Sequence, residues 1–404
     1  MITGLLVPLI VVAASGAHSG RGLAAHAQPK PSIFGLNTAT LDSNHPNAKK
    51  DFSRASQLGA RWVRLTDDNI QWQHGKPDYS TLNLQIRLAQ AQGLGILISL
   101  GGDPNACSIH PTPSNPAKCP PTSAKNLQVY KQFLQQELLH FSSDVTYYES
   151  WIQPNEPGRW PPEPKPAQYA ALLKAQYSVF QAVNKKHGLH LKLLFGGPVN
   201  FSIGPGGSSK SGIAVLPFTH AVLGDLSGQK PFDGIAINGY RLPPATRPPT
   251  YSAFDDIQGL PAAQGAHGPY PAQGCNNTGT WCKMTWPQEL SAYEQEFMNH
   301  YATQLPMWVT QFGWPGSKTV PPGQPADDYP SYAQQKQDLT EAYGDLLHLG
   351  SVQAAFWYNL RDYQPGVPSS APPFFAHYGL LQYNSTPKPA GNKFKSLSRA
   401  NPGR

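Results

Sequence analysis

The chain carries the sequence Gly-Ile-Leu-Ile-Ser-Leu-Gly-Gly at residues 95–102. Its first six residues are almost continuously apolar, and the pair of glycines ends the run. A strand that is apolar on both faces is buried on both faces, which is typical of parallel sheets. This stretch therefore predicts an interior strand of a parallel sheet.

Strand-like and helix-like segments alternate along the rest of the chain, in about eight units. The predicted strands lie at or near residues 33–36, 60–66, 95–100, 145–153, 191–195, 233–238, 307–311 and 354–359. An eightfold alternation of this kind predicts an α/β fold, a (β/α)8 TIM barrel. The competing fold, a doubly wound open sheet, lacks its Gly-x-Gly-x-x-Gly signature after the first strand.

Two long loops follow the third and sixth predicted strands, at residues 103–125 and 241–285. Both leave from the carboxyl ends of strands, so both belong to the C-terminal face of the predicted barrel. Active sites of this fold lie on that face. We therefore expect the functional site among the ends of these strands and their enlarged loops.

The composition favours neutral, ring-shaped ligands over polyanions. Charged residues make up only 14% of the chain and aromatic residues 11%, and the formal net charge is +7. Five basic residues of the C-terminal segment account for most of this excess: Lys388, Lys393, Lys395, Arg399 and Arg404. Elsewhere no basic run is interleaved with aromatic residues, so nucleic acid is not an expected partner.

The first residues form an apolar run that is too short to span a bilayer, and Ala25-His26-Ala27 follows it as a candidate cleavage site. We predict a signal peptide at residues 1–27, a barrel domain at 28–398, a basic tail at 399–404, and a secreted protein. The usual basic residue before the apolar run is missing. Two alternatives therefore stay open: a misplaced start, or an uncleaved anchor, which is the one route to a membrane association.

The four cysteines form two pairs that are local in sequence and lie in loops rich in Pro and Gly. Export to an oxidising compartment favours two loop disulfides, Cys107 with Cys119 and Cys275 with Cys282. Neither pair has the spacing of a zinc site.

Several segments together resemble a known group of enzymes. Residues 148–155 read Tyr-Glu-Ser-Trp-Ile-Gln-Pro-Asn, and residues 308–314 read Trp-Val-Thr-Gln-Phe-Gly-Trp. They resemble the fourth and seventh strands of clan A glycoside hydrolases close to families 5 and 39, which typically read Trp-Asn-Glu-Pro-Asn and Thr-Glu-Phe-Gly-Trp. Further matching segments lie at 169–174, 356–362, 378–381 and 387–390. The resemblance implies a TIM barrel acting on oligo- or polysaccharides, with neither cofactor nor metal.

The chemistry of these enzymes requires two glutamates about 5 Å apart, one as nucleophile and one as acid/base. By the resemblance, Gln311 occupies the nucleophile position, because Thr310, Phe312, Gly313 and Trp314 all match around it. A carboxamide cannot donate a proton at neutral pH or stabilise a positively charged transition state. It can still hydrogen-bond a sugar.

The fourth strand admits two alignments. The ungapped match keeps Trp151, Pro154 and Trp160 in step and places Gln153 at the acid/base position. The alternative uses the local Asn-Glu-Pro copy at residues 155–157 and makes Glu156 the acid/base, at the cost of a three-residue insertion and a matching deletion. The first alignment is favoured.

The resemblance also implies a set of substrate-binding residues. Arg64 matches an arginine that lies near the nucleophile in relatives. With Gln311 neutral it needs a new charge partner, and the candidates are Asp67, Asp68, Glu149 and Asp362. The other predicted substrate-binding residues are polar groups and aromatic platforms at the strand ends and in the loops of the same face: Asn155, Trp160, Asn238, Tyr240, Trp314 and Trp357.

Three functions remain open on these observations. The chain is a glycan-binding protein of glycoside-hydrolase ancestry with lost or strongly reduced hydrolysis, an active O-glycosyl hydrolase that uses Glu156 with a substitute nucleophile, or a structural or adhesion module without a sugar site. The pair of glutamines favours the first.

Overall fold

The computed structural model describes residues 32–37, 48–67, 70–73, 76–101, 119–199, 212–213, 215–239, 286–320, 329–364 and 373–403. Eight parallel strands close into a barrel, in which each strand pairs with the barrel strands before and after it in the chain and the first strand pairs with the last. This closed order confirms the predicted (β/α)8 barrel and excludes the open doubly wound sheet.

The barrel strands and the helices outside them alternate in sequence. The barrel strands are β1 Phe34–Asn37, β2 Trp62–Thr66, β5 Gly95–Ser99, β6 Tyr147–Glu149, β7 Lys192–Phe195, β8 Gly234–Asn238, β9 Met307–Phe312 and β10 Val352–Trp357. The helices of the described residues are α1 Ala48–Gln57, α2 Ser80–Gln90, α3 Ala124–Phe141, α4 Pro166–His187, α5 Val215–Leu226, α6 Trp286–Tyr301, α7 Tyr332–His348 and α8 Pro389–Ala400. An antiparallel hairpin, β3 Gln71–Gln73 with β4 Lys76–Asp78, follows β2 and was not predicted.

The local sequence explains several helix ends. The Ser123 and Ser331 side chains accept hydrogen bonds from the backbone N–H groups of Asn126 and Gln334, which caps α3 and α7 at their first turns. Gly188 ends α4 with a φ of 65°, a left-handed conformation that glycine adopts at little cost.

Side chains alternate along the strands between the helix layer and the barrel interior. The lower interior is one apolar cluster of Trp62, Leu97, Leu194, Ala236, Trp308, Ala354 and Phe356, with Tyr147 packed against it. The outward-facing residues, such as Val63 and Leu65 of β2, join the large core shared with the helices. The base of the barrel is therefore a packed plug, and polar groups come only nearer the strand ends.

The fourth barrel strand is shorter than predicted. β6 ends at Glu149, whereas the sequence pattern extended the strand to Gln153. The reason is the backbone, because Trp151 and Gln153 both have positive φ angles, 25° and 49°. Positive φ is uncommon for residues other than glycine and lies outside the β region, so the chain leaves the sheet after Glu149.

Lys388, one of the five basic residues of the C-terminal segment, has a structural role in the interior. Its side chain is fully buried, and its Nζ lies 2.7 Å from Asp362 Oδ1. It also donates to the backbone oxygens of Gly316 at 2.9 Å and His377 at 2.8 Å. Lys388 is therefore a structural cation just before α8.

Some predictions concern residues outside the described ranges. The proposed signal peptide lies there, and of the four cysteines only Cys119 is described, so the two disulfides and the cleavage site stay predictions. Within the described ranges, no helix combines the length and the apolar character needed to cross a membrane.

Candidate functional site at the carboxyl ends of the strands

Two glutamine side chains meet at the carboxyl ends of the fourth and seventh barrel strands. Gln153 Nε2 donates to Gln311 Oε1 over 3.3 Å. The Gln153 backbone N–H donates to Gly197 O at 3.1 Å, which ties the turn after β6 to the end of β7. Of the two candidate residues of this segment, Gln153 is therefore the one that the structure places in contact with Gln311.

An extra residue in β9 sets the direction of Gln311. The pairing of β9 with β8 steps from Ile237–Val309 to Asn238–Gln311, and its pairing with β10 steps from Ala355–Val309 to Trp357–Phe312. The extra residue of β9 therefore forms a bulge between Val309 and Phe312 against both β8 and β10. A bulge changes the face to which a side chain points, and it occurs often beside functional sites.

A layer of buried polar side chains lies above the apolar plug, two residues further along five strands. This polar layer consists of Arg64, Ser99, Glu149, Asn238 and Thr310. Arg64 Nε donates to Glu149 Oε2 at 2.7 Å, with both side chains fully buried, and Arg64 Nη2 donates to Ser99 Oγ at 2.9 Å. Of the candidates named from the sequence, Glu149 therefore pairs directly with Arg64.

The backbone at Gly197 completes this layer. Glu149 Oε1 accepts from the Gly197 N–H at 3.0 Å and from Thr310 Oγ1 at 2.8 Å, and Asn238 Nδ2 donates to Gly197 O at 2.6 Å. A Cβ at position 197 would lie 2.7 Å from both Asn238 Nδ2 and Glu149 Oε1. Only glycine fits this close approach. Local sequence patterns did not reveal this role.

Glu156 lies close to the glutamine pair in sequence, but its carboxylate is held by its own turn. Its backbone N–H donates to Gln153 O at 3.1 Å, and its carboxylate accepts from the N–H groups of Gly158 and Arg159. Burial raises the pKa of the Glu156 carboxyl above its ordinary value, and these hydrogen bonds offset part of the rise. Its role as an alternative acid/base stays a prediction.

Asn155 and Trp160 have contacts that differ from the predicted sugar-binding role. Asn155 Nδ2 donates to the backbone oxygens of Val199 and Ile213 at 2.7 and 2.8 Å, and its Oδ1 accepts from Val199 N at 2.8 Å. Trp160 is fully buried. Its ring packs edge-on against Trp151 and Tyr169. Both residues hold loops and core together, because the amide is occupied by backbone groups and the indole has no exposed face.

The remaining predicted aromatic residues differ in exposure. Trp357 is fully buried, and its Nε1 donates to Tyr378 O at 2.9 Å, which corrects its interpretation as an exposed platform. Trp314 is partly exposed and lies 5.7 Å from Trp357 between ring centroids. Stacking on a sugar requires an exposed face, so Trp314 is the better placed of the two. Tyr240 lies outside the described residues.

Comparisons with known proteins find the same fold. No protein-family model and no curated protein matches the chain. A family 39 glycoside hydrolase from Bacteroides cellulosilyticus WH2 matches with a TM-score of 0.60 at 20% identity, over 91% of this chain and 64% of that one. The chain thus spans less than two thirds of that protein's length.

Two further solved structures agree. A monomeric β-xylosidase from Caulobacter crescentus CB15 matches with a TM-score of 0.55 at 16% identity, over 92% of this chain and 69% of that chain. A GH5_18 protein from Bifidobacterium longum subsp. longum, solved with Manβ1-4GlcNAc, matches with a TM-score of 0.57 at 15% identity, over 91% of this chain and 78% of that chain. The expected likeness to clan A glycoside hydrolases of families 5 and 39 is therefore confirmed as a likeness of fold.

Proposed function

We propose that this chain is a carbohydrate-binding protein with a glycoside-hydrolase fold, in which hydrolysis is lost or strongly reduced. The observation that carries the proposal is the contact between the Gln153 and Gln311 amides at the ends of the fourth and seventh barrel strands. Retaining glycosidases hold two carboxyl groups about 5–5.5 Å apart across the scissile bond. A direct amide contact is compatible with that spacing and not with the wider spacing of inverting enzymes.

The chemistry of the amides explains the expected loss of turnover. Neither Gln153 nor Gln311 can form a glycosyl ester or protonate a leaving oxygen. Each amide offers both a donor and an acceptor, as sugar hydroxyls do. The partly exposed Trp314 supplies an apolar surface on the same face of the barrel.

The structural neighbours suggest which ligands to test. They include a β-xylosidase and a protein solved with Manβ1-4GlcNAc. We propose β-linked neutral oligosaccharides as the ligand class, and an exported protein with residues 1–27 as signal peptide and disulfides Cys107–Cys119 and Cys275–Cys282.

Calorimetric titration with xylo- and manno-oligosaccharides, followed by chromatography of the same samples, tests the proposal. We expect heat of binding without products, and weaker binding by Gln153→Ala and Gln311→Ala. The matched control is Gln337→Ala, which removes a glutamine that contacts Glu341 on the exposed side of α7. Unchanged affinity in both site variants would place the ligand elsewhere, and no binding at all would favour a structural module.

Glu156 supports a second candidate, because a buried carboxyl with a raised pKa suits a general acid. If the chain is an active hydrolase through Glu156, aryl β-glycosides will be turned over and Glu156→Gln will abolish the turnover. The absence of turnover in the unmodified protein would remove this candidate.

A further inference from the structure

Three metal-ligating side chains come together on two helices outside the barrel. His220 lies on α5, and Glu296 and His300 lie one turn apart on α6. One ligand atom from each residue falls within 4.8 Å of the other two. The cluster lies on two helices outside the barrel, and Glu296 and His300 lie in the second half of α6, which leads into the amino end of β9.

The distances within the cluster suit a small divalent cation. His220 Nδ1 lies 2.8 Å from Glu296 Oε1, and His300 Nδ1 lies 3.6 Å from the same oxygen. Bonds of about 2.0–2.1 Å from Zn²⁺ to nitrogen and oxygen place neighbouring tetrahedral ligands about 3.3 Å apart. These two separations lie on either side of that value, and all three ligand atoms lie within 4.8 Å of one another, so rotation of the exposed histidine side chains would complete the geometry.

The carboxylate of the cluster is buried, and its two imidazoles are partly exposed to solvent. The side chain of Glu296 is 2% exposed, whereas those of His220 and His300 are 47% and 25% exposed. In the part of the chain that the structure describes, the salt-bridge contacts of Glu296 are with these two imidazoles. A buried carboxylate needs a compensating partner, and an ion that enters from the solvent side would supply a full positive charge there.

We propose that His220, Glu296 and His300 bind Zn²⁺, with water in the fourth position. Two imidazoles and one carboxylate form a donor set typical of zinc and other late divalent metals, whereas Ca²⁺ and Mg²⁺ prefer oxygen ligands. The bound ion links α5 to α6, whose ligands His220 and Glu296 are 76 residues apart in sequence. Bound zinc therefore stabilises the packing of these two helices.

Titration of the metal-free full-length protein with zinc chloride tests the site. We expect one equivalent of zinc to bind, and zinc to raise the melting temperature until a chelator is added. Loss of a residue that only supports a metal ligand typically weakens metal binding about 10–100-fold. Because His220→Gln and His300→Gln each remove a ligand itself, each should weaken zinc binding at least about tenfold. Cobalt substitution gives a second readout, because a four-coordinate Co²⁺ site absorbs strongly in the visible range.

His348→Gln is the matched control. The His300 ring contacts the backbone oxygen of Glu296 four residues earlier, and the His348 ring makes the same kind of contact with Gly344 on α7. The control should keep full zinc affinity. The proposal is overturned if folded His220→Gln and His300→Gln proteins keep wild-type affinity, or if zinc binds without defined stoichiometry among the 13 histidines of the chain.

Discussion

Glu149 accepts a hydrogen bond from Thr310 Oγ1 at 2.8 Å, which joins the fourth barrel strand to the seventh one residue before Gln311. The other oxygen of the same carboxylate pairs with Arg64 at 2.7 Å. The buried charges of this layer thus compensate each other, and the network fixes the strands that carry the two facing amides.

Removal of Arg64 should lower the free energy of unfolding, because it leaves a buried negative charge unpaired in this layer. Arg64→Met leaves Glu149 without its cation, and we expect a loss of about 3–5 kcal/mol in the free energy of unfolding. The double variant Arg64→Met/Glu149→Gln should lose less than the sum of the two single variants. Denaturant unfolding measures both, with the exposed Arg87→Met as a control that changes by less than about 0.5 kcal/mol. A loss below about 1 kcal/mol in Arg64→Met would contradict the pairing argument.

Restoring both carboxylates tests the assignment of the cleft. Gln153→Glu/Gln311→Glu places two like charges side by side, so one pKa should rise and supply an acid near neutral pH. We expect measurable turnover of aryl β-glycosides by the double variant and none by either single variant. Activity in Gln311→Glu alone that disappears on adding Glu156→Gln would instead assign the acid/base role to Glu156. A folded but inert double variant would contradict the site assignment.

Gly197 should be intolerant of any side chain. Gly197→Ala introduces a Cβ at 2.7 Å from Asn238 Nδ2 and Glu149 Oε1, and we expect a loss of about 1–3 kcal/mol. Gly344→Ala on α7 is the matched control, because a Cβ there meets nothing within 4 Å and should stabilise the helix by about 0.5–1 kcal/mol. Thermal and urea unfolding compare the two, and equal stability changes would refute the close-approach argument.

A buried carboxyl on α3 should make stability depend on pH. Burial raises the pKa of the Glu137 carboxyl from 4.5 to about 8. The folded state therefore binds the proton more tightly than the unfolded state, and stability falls as pH rises from about 4.5 to about 8, by up to about 1.4 kcal/mol per pH unit.

Glu137→Gln should remove this loss. We expect the variant to exceed the wild type in free energy of unfolding at pH 8, with the difference shrinking toward pH 4.5. Urea unfolding across this range checks it, with Glu341→Gln on the exposed face of α7 as control. The same pH slope in Glu137→Gln and wild type would disprove the assignment.

The buried contacts of Lys388 should make it important for stability. Lys388→Met keeps the length of the side chain but removes the cation that pairs with Asp362 and donates to two backbone oxygens, so we expect a loss of about 3–5 kcal/mol in the free energy of unfolding. The exposed Lys336→Met should be nearly neutral. Equal denaturation midpoints for the two variants would show that Lys388 is dispensable.

The positions that sequence reasoning missed share one cause. The predicted end of the fourth strand was wrong because apolar and aromatic residues continue past Glu149 while the backbone turns at Trp151 and Gln153. Trp160 was expected in the cleft because an aromatic residue has the same apolar character in a core and on a platform. Contacts with neighbouring strands set the direction of the backbone at these points, and a local sequence pattern carries no information about those contacts.

The sequence by itself determined the order of strands and helices, the barrel class and the place of Gln311 near the end of the seventh barrel strand. These features depend on short-range periodicity and on a motif of consecutive residues. Only the tertiary structure decided which side chains meet. The sequence separation is 85 residues between Arg64 and Glu149, 76 residues between His220 and Glu296, and 26 residues between Asp362 and Lys388. Such contacts depend on strand register and barrel closure. A shift of one residue in the register of a strand would turn its side chains to the other face and separate these partners, although the sequence would be the same.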